Sequence, residues 1–156
     1  DASQAGETYI NNKATKDKNI LSDEARDFIK QLKFPIDEQL LSVRDNRVYL
    51  LPQGLPDLTG LRILRQGLLL GEMKKQRFEP SQALANALRR EDYDHIINLS
   101  SDDVRVIKYL KCETIQVEED LQDGWYLVCV DGHPLGWCKA AKGSLKNKYL
   151  PGWRWV

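Results

Sequence analysis

Residues 123–150 read DGWYLVCVDGHPLGWCKAAKGSLKNKYL, and the turns within them decide the fold. WYLVCV (125–130) is an unbroken apolar run, the pattern of a strand buried on both faces. Asp131-Gly132 behind it is a strong hairpin turn. LGWCKA (135–140) leads back, Lys142-Gly143-Ser144 turns the chain once more, and LKNKYL (145–150) closes another hairpin. The C-terminal part of the chain is therefore β.

Upstream, TIQVE (114–118) alternates and predicts a further strand. A helix is expected from Ser100 or Ser101. Asp102 and Asp103 lie in its first turn, Lys108 and Lys111 in its last, and Val104, Ile107 and Leu110 form its buried face. Pro80 opens a short helix with Leu84, Ala87 and Leu88 on one face and Arg89 and Arg90 at its end. LRILR (61–65) and LLLGEMK (68–74) read as strands around Gln66-Gly67, and PQGLPDLTG (52–60) as a loop. LLSV and VYLL flank Arg44-Asp45-Asn46-Arg47, where Asp-Asn suits a tight turn with positive φ. Ser22 is a good N-cap for a helix whose Ala25, Phe28, Ile29 and Leu32 make an apolar stripe, ended by Pro35. Residues 1–20 are polar and aperiodic, as in a linker or arm.

Short strands with helices inserted between them predict an α+β fold, a small mixed β-barrel. The expected organisation is an arm (1–20), a helix plus β-hairpin extension (21–60) and the barrel (61–156). The chain has 156 residues, 42% of them hydrophobic and 29% charged, enough to bury a core without staples. No apolar run reaches the ~18 residues that span a bilayer, so no membrane partner is expected. Three cysteines with no CxxC pair argue against a disulfide framework and for the reducing cytoplasm. The only methionine is Met73 and the chain begins at Asp1, as expected of a fragment of a longer protein.

Catalytic chemistry is hard to find. No GxG occurs among the ten glycines, so no phosphate or dinucleotide cradle is offered. His95 and His133 are far apart, and neither has a second ligand at metal spacing. Cys112 ends a helix, and Cys129 and Cys138 sit in apolar strands; all three read as inert thiols. No catalytic residue, metal or cofactor is assigned to this chain.

Charge placement is more informative. Lys+Arg and Asp+Glu are 23 each, net zero. Yet residues 61–78 carry Arg62, Arg65, Lys74, Lys75 and Arg77 against Glu72, net +4. Residues 132–156 carry Lys139, Lys142, Lys146, Lys148 and Arg154 with no acid, net +5. Residues 91–103 and 113–124 each hold five acids and no Lys or Arg. The basic segments also contain Phe78, Trp137, Tyr149, Trp153 and Trp155. Cations for phosphate beside rings for splayed bases suit RNA better than duplex DNA. Trp125 and Trp137, inside strands, are expected in the core.

Three stretches are more specific. They are LPQGLPDLTGLRILRQGLLLGEMKKQRFEPSQALANAL (51–88), SDDVRVIKYLKCETI (101–115) and DGWYLVCVDGHPLGWCKAAKGSLKNKYLPG (123–152). Over about residues 34–152 the chain resembles the C-terminal region of the bacterial RsmF-type ribosomal RNA methyltransferases of the Sun family. The resemblance implies a PUA-like RNA-binding barrel. It also implies an upstream domain, absent from this chain, that uses S-adenosylmethionine to make 5-methylcytosine in rRNA, small-subunit rRNA being the expected partner. The family's catalytic cysteines follow proline and threonine, and none of the three here does. Cys112 and Cys138 stand where glycine is usual, which requires negative φ at both. Leu150-Pro151 replaces a Pro-Lys order.

The expected function is that of an accessory domain that positions rRNA for methylation. Arg62, Arg65, Lys74, Lys75 and Arg77 would line one side of an RNA groove. Lys139, Lys146 and Lys148 would line the other, with Lys142 at a turn tip. The alternatives are a docking module that packs on the catalytic domain, and a barrel that takes a flipped base into an aromatic-lined pocket.

Overall fold

Tight turns with left-handed residues decide where this chain folds back on itself. Asp45-Asn46, Asp131-Gly132 and Lys142-Gly143 all have positive φ at both positions, the conformation that matches the twist of a two-residue hairpin. The computed structural model describes residues 20–54 and 67–156. The strand expected at 61–65, and nearly all of the arm (1–20), lie outside them. The described residues divide into two compact units. One runs to Lys30 and resumes over Pro35–Ser81; the other comprises Gln31–Phe34 and Gln82–Val156.

In the first unit, helix α1 (Asp23–Lys30) starts as expected, with the Ala25 amide donating to Ser22 Oγ at 3.2 Å. Strands β1 (Leu41–Arg44), β2 (Arg47–Leu50), β3 (Leu68–Lys74) and β4 (Arg77–Pro80) form an antiparallel sheet in that order. Val48 pairs with Gly71 and Tyr49 with Leu69, so Leu70 is an extra residue in β3. This bulge turns both Leu70 and Gly71 to the buried side. Val48, Leu50, Leu70, Met73 and Phe78 are buried, and Phe28 of α1 packs on Phe78 with ring centroids 5.1 Å apart. Pro80 is not the start of a helix: it ends β4, an edge strand, where a missing N–H is tolerated.

The second unit holds α2 (Gln82–Ala87), β5 (Ile96–Leu99), α3 (Val104–Leu110), β6 (Gly124–Val130), β7 (His133–Ala141) and β8 (Ser144–Asn147). The strands form one mixed sheet in the order β5-β6-β7-β8, with β5 and β6 parallel and the other pairs antiparallel. The α+β expectation holds. Tyr126, Val128, Cys138, Ala140 and Leu145 point to one side of the sheet and meet Ile97, Leu99, Tyr109, Leu110 and Ile115. On the other side Trp137 is buried, with Tyr93 edge-on to its indole at 5.3 Å. The apolar run 125–130 is thus covered on both faces at its centre. Among the described residues no helix is long and apolar enough to cross a membrane.

Three expectations fail here for identifiable reasons. TIQVE is not a strand. Ile115 is buried, but the nearby carbonyls are taken by side chains: Arg105 Nη1 donates to Gln116 O at 2.9 Å and Asn147 Nδ2 to Glu113 O at 2.7 Å. Arg89 and Arg90 lie beyond α2, at the start of a 3-10 turn that Asp92 caps by accepting from the Arg89 amide at 2.8 Å. Helix α3 buries Tyr109 and Leu110, leaving Val104 70% and Ile107 52% exposed. Tyr109 wins the buried face because its hydroxyl finds a partner there, donating to Trp137 O at 3.0 Å. Burial pushes the phenol pKa up, so it stays a donor.

The end of α3 explains an oddity of the sequence. Its last four carbonyls are all satisfied. Lys111 N donates to Ile107 O, Glu113 N to Lys108 O, Cys112 N to Tyr109 O and Trp155 N to Leu110 O. The 113→108 and 112→109 pair is a Schellman motif with Cys112 at the left-handed position. Its φ is +62°, against the negative φ expected; Cys138 does keep the expected region. A non-glycine residue there costs about 1–2 kcal/mol. Glycine's greater unfolded-state entropy returns about 0.4–1 kcal/mol of any relief. Cys112→Gly is therefore expected to raise stability by about 0.5–1 kcal/mol, seen as a higher urea midpoint. Cys112→Val should lower the midpoint. An unchanged midpoint in both variants would show that the cap carries no strain.

Candidate nucleic-acid interface

Strand register brings together residues that are far apart in sequence. Trp125 on β6 is paired with Lys139 on β7, and Lys139 with Lys146 on β8. The three form a row across the sheet on one face. Lys139 Nζ sits 5.3 Å from the centroid of the Trp125 ring, within cation–π range. Trp125 itself is half-buried rather than in the core, unlike Trp137. Lys142 is exposed at the β7–β8 turn, whose amide donates to Asp123 Oδ1 at 2.9 Å. Lys148 follows β8, its amide donating to Trp137 O at 3.0 Å. Asn147 pins this end of the strand, donating to Tyr109 O at 3.0 Å and accepting from the Tyr149 amide at 2.8 Å.

Among the described residues, Lys139, Lys142, Lys146 and Lys148 have no ion pair. Like charges directly opposite on a sheet are destabilising. The Lys139–Lys146 pair is therefore an unfavourable arrangement that an anion would relieve.

The first unit places its cations differently. Lys74 and Arg77 are cross-strand partners at the β3–β4 hairpin, with Lys75 at its exposed tip. Both share Glu79, at 3.3 Å from Lys74 Nζ and 3.5 Å from Arg77 Nε. Arg47, Glu72 and Glu79 form one row on the same face, and Arg44 pairs with Arg47. The guanidinium of Arg44 lies 4.6 Å from the Tyr49 ring centroid. Sequence reasoning missed Arg44 and Arg47, because only the β2–β3 register puts them beside Lys74 and Arg77. Arg62 and Arg65 lie outside the described residues.

Of the aromatics singled out in sequence, Phe78 and Trp137 are buried, Tyr149 is half-buried, and Trp153 and Trp155 are exposed. Two clefts flank the segment 114–121, of about 550 and 400 Å³. Neither lining contains an aromatic ring, and both include Glu119. They give the flipped-base alternative no support.

Burial raises the Cys129 thiol to about 11 and the Cys138 thiol to about 12, so both are held protonated at neutral pH. At the entry to α3, the Arg105 side chain hydrogen-bonds Asp103 and holds its carboxyl below the usual range. Among the described residues no three His, Cys, Asp or Glu side chains converge as metal ligands. Gly67, Gly124, Gly132 and Gly143 have positive φ, but they sit at strand starts and hairpin turns. None opens a helix as a nucleotide cradle does.

Two family models match in order along the chain. The RsmF rRNA methyltransferase first C-terminal domain matches residues 27–88, and the methyltransferase RsmF PUA domain matches residues 97–155. Ribosomal RNA small subunit methyltransferase F of Shewanella oneidensis is 29% identical over 122 residues, which are 77% of this chain and 25% of that protein. The chain thus spans about a quarter of the length of that relative. Consecutive C-terminal domains of one family account for both parts of the chain, which belongs to the C-terminal region of the RsmF-type rRNA methyltransferases.

Proposed function

We propose that this chain is the RNA-binding accessory part of a cytoplasmic rRNA cytosine-5 methyltransferase. It holds small-subunit rRNA while an upstream domain, outside this chain, transfers the methyl group from S-adenosylmethionine. The contribution is positional. Phosphate contacts fix the strand, and the catalytic domain takes the base. The observation that carries this reading is the Trp125–Lys139–Lys146 row, flanked by Lys142 and Lys148 and free of ion pairs among the described residues. Lys74, Lys75 and Arg77 make a second, partly neutralised contact, to which the reading adds Arg62 and Arg65.

A second reading, docking on the catalytic domain without RNA contact, is favoured by one observation: Val104 and Ile107 lie exposed on α3. Titrating the chain separately with labelled small-subunit rRNA and with the isolated catalytic domain divides the two. RNA binding that weakens as salt rises is the expected result. Binding to the catalytic domain, with none to RNA at low salt, would establish docking instead.

A further inference from the structure

The last residues of the chain are exposed but not loose. Pro151–Trp153 forms a 3-10 turn in which the Trp153 amide donates to Leu150 O at 2.9 Å. The Arg154 amide donates to Pro151 O at 3.2 Å, and the Trp155 amide to Leu110 O at 2.9 Å. The strap therefore completes the cap of α3. A relay of rings leads to it from the core: Tyr109 lies 5.3 Å from Tyr149, and Tyr149 lies 6.5 Å from Trp153. Despite this anchoring, Trp153 is 50% and Trp155 53% exposed. Two large indoles held at the surface by a fixed backbone are neither core residues nor a frayed end.

We propose that Trp153-Arg154-Trp155 is a stacking strap for unpaired bases of single-stranded RNA. The inference rests on the RNA-binding reading and assigns a second kind of contact to it. Indole faces stack any base, whatever its identity, and a guanidinium between them neutralises phosphate or stacks in turn. Charge favours RNA over an apolar protein partner. Residues 132–156 contain no acid, and Lys148 lies just upstream of the strap.

The test uses the whole chain and a labelled, unstructured oligouridine. In Trp153→Ala/Trp155→Ala, affinity is expected to fall at least about tenfold, because each base–ring stack is worth about 1–3 kcal/mol. The salt slope should stay as in the parent chain, since no charge is removed. Trp153→Phe/Trp155→Phe should recover most of the loss and Trp153→Leu/Trp155→Leu little of it. That comparison holds even if the alanine variant folds poorly. Equal affinity for the Phe and Leu variants overturns stacking while leaving the RNA reading intact. No binding of oligouridine or rRNA by the parent chain overturns both. Retained RNA affinity with lost binding to the catalytic domain makes the strap a protein-docking element instead.

Discussion

Trp137→Ala is expected to cost the second unit about 3–5 kcal/mol, the range for removing a large aromatic from a packed core. That is a large part of the 5–15 kcal/mol that holds a typical domain together. Trp137 is 1% exposed at the centre of β7, and Tyr93 meets its ring at 89°. Its carbonyl accepts from both the Tyr109 hydroxyl and the Lys148 amide. Those backbone bonds survive the substitution, so the loss measures the indole alone. Urea denaturation followed by circular dichroism reads the change. A loss under about 1 kcal/mol would mean that the site closes over the missing ring. Trp137→Phe keeps an edge-on partner for Tyr93 and should cost clearly less.

The hairpins were legible from a handful of residues because the chemistry there is local. Asp45-Asn46 and Asp131-Gly132 need only the residue's own tolerance for positive φ, which Gly143 supplies behind Lys142. Helix α1 was legible for the same reason, since Ser22 and the stripe Ala25-Phe28-Ile29 leave one arrangement. Helix α3 was not. VRVIKYL offers two apolar stripes, Val104-Ile107 and Val106-Tyr109-Leu110. The choice between them is made by the Trp137 carbonyl waiting for a hydroxyl, a partner 28 residues away. IINL (96–99) and RFEP (77–80) became strands only because edges of β6 and β3 were there to receive them. Cys112 shows the same limit. The family resemblance puts it where glycine is usual, and the left-handed helix cap gives that preference a physical reason.

The candidate site follows this division. The acid-free C-terminal segment is plain in the sequence, so Lys139, Lys142, Lys146 and Lys148 could be named as candidates. Their arrangement could not, because it depends on a register across three strands. The neutralisation of Lys74 and Arg77 was hidden likewise. Glu79 falls one residue beyond the segment 61–78, and it lies beside Arg77 on β4 and across the hairpin from Lys74.

Reversing both charges of the central pair, Lys139→Glu/Lys146→Glu, is expected to reduce RNA affinity on the order of a hundredfold near physiological salt. Two lost phosphate contacts flatten the slope of log K against log salt by about 1.4 at the single-strand figure of about 0.7 each. This alone is worth about tenfold. Each new carboxylate facing a phosphate adds about 1 kcal/mol of repulsion even at the dielectric of water. The double reversal is also a clean probe of function. It replaces one like-charged cross-strand pair by another, so stability should fall only by the lost Lys139–Trp125 cation–π contact, about 0.5–1 kcal/mol. The single variant Lys146→Glu instead creates an opposite pair with Lys139. It should gain about 0.2–1 kcal/mol of stability while losing affinity. Opposite signs for stability and binding are what a repulsive pair kept for an anionic ligand requires. If Lys146→Glu leaves RNA affinity within about twofold of the parent, a change of only about 0.4 kcal/mol, the repulsion between these lysines serves no polyanion.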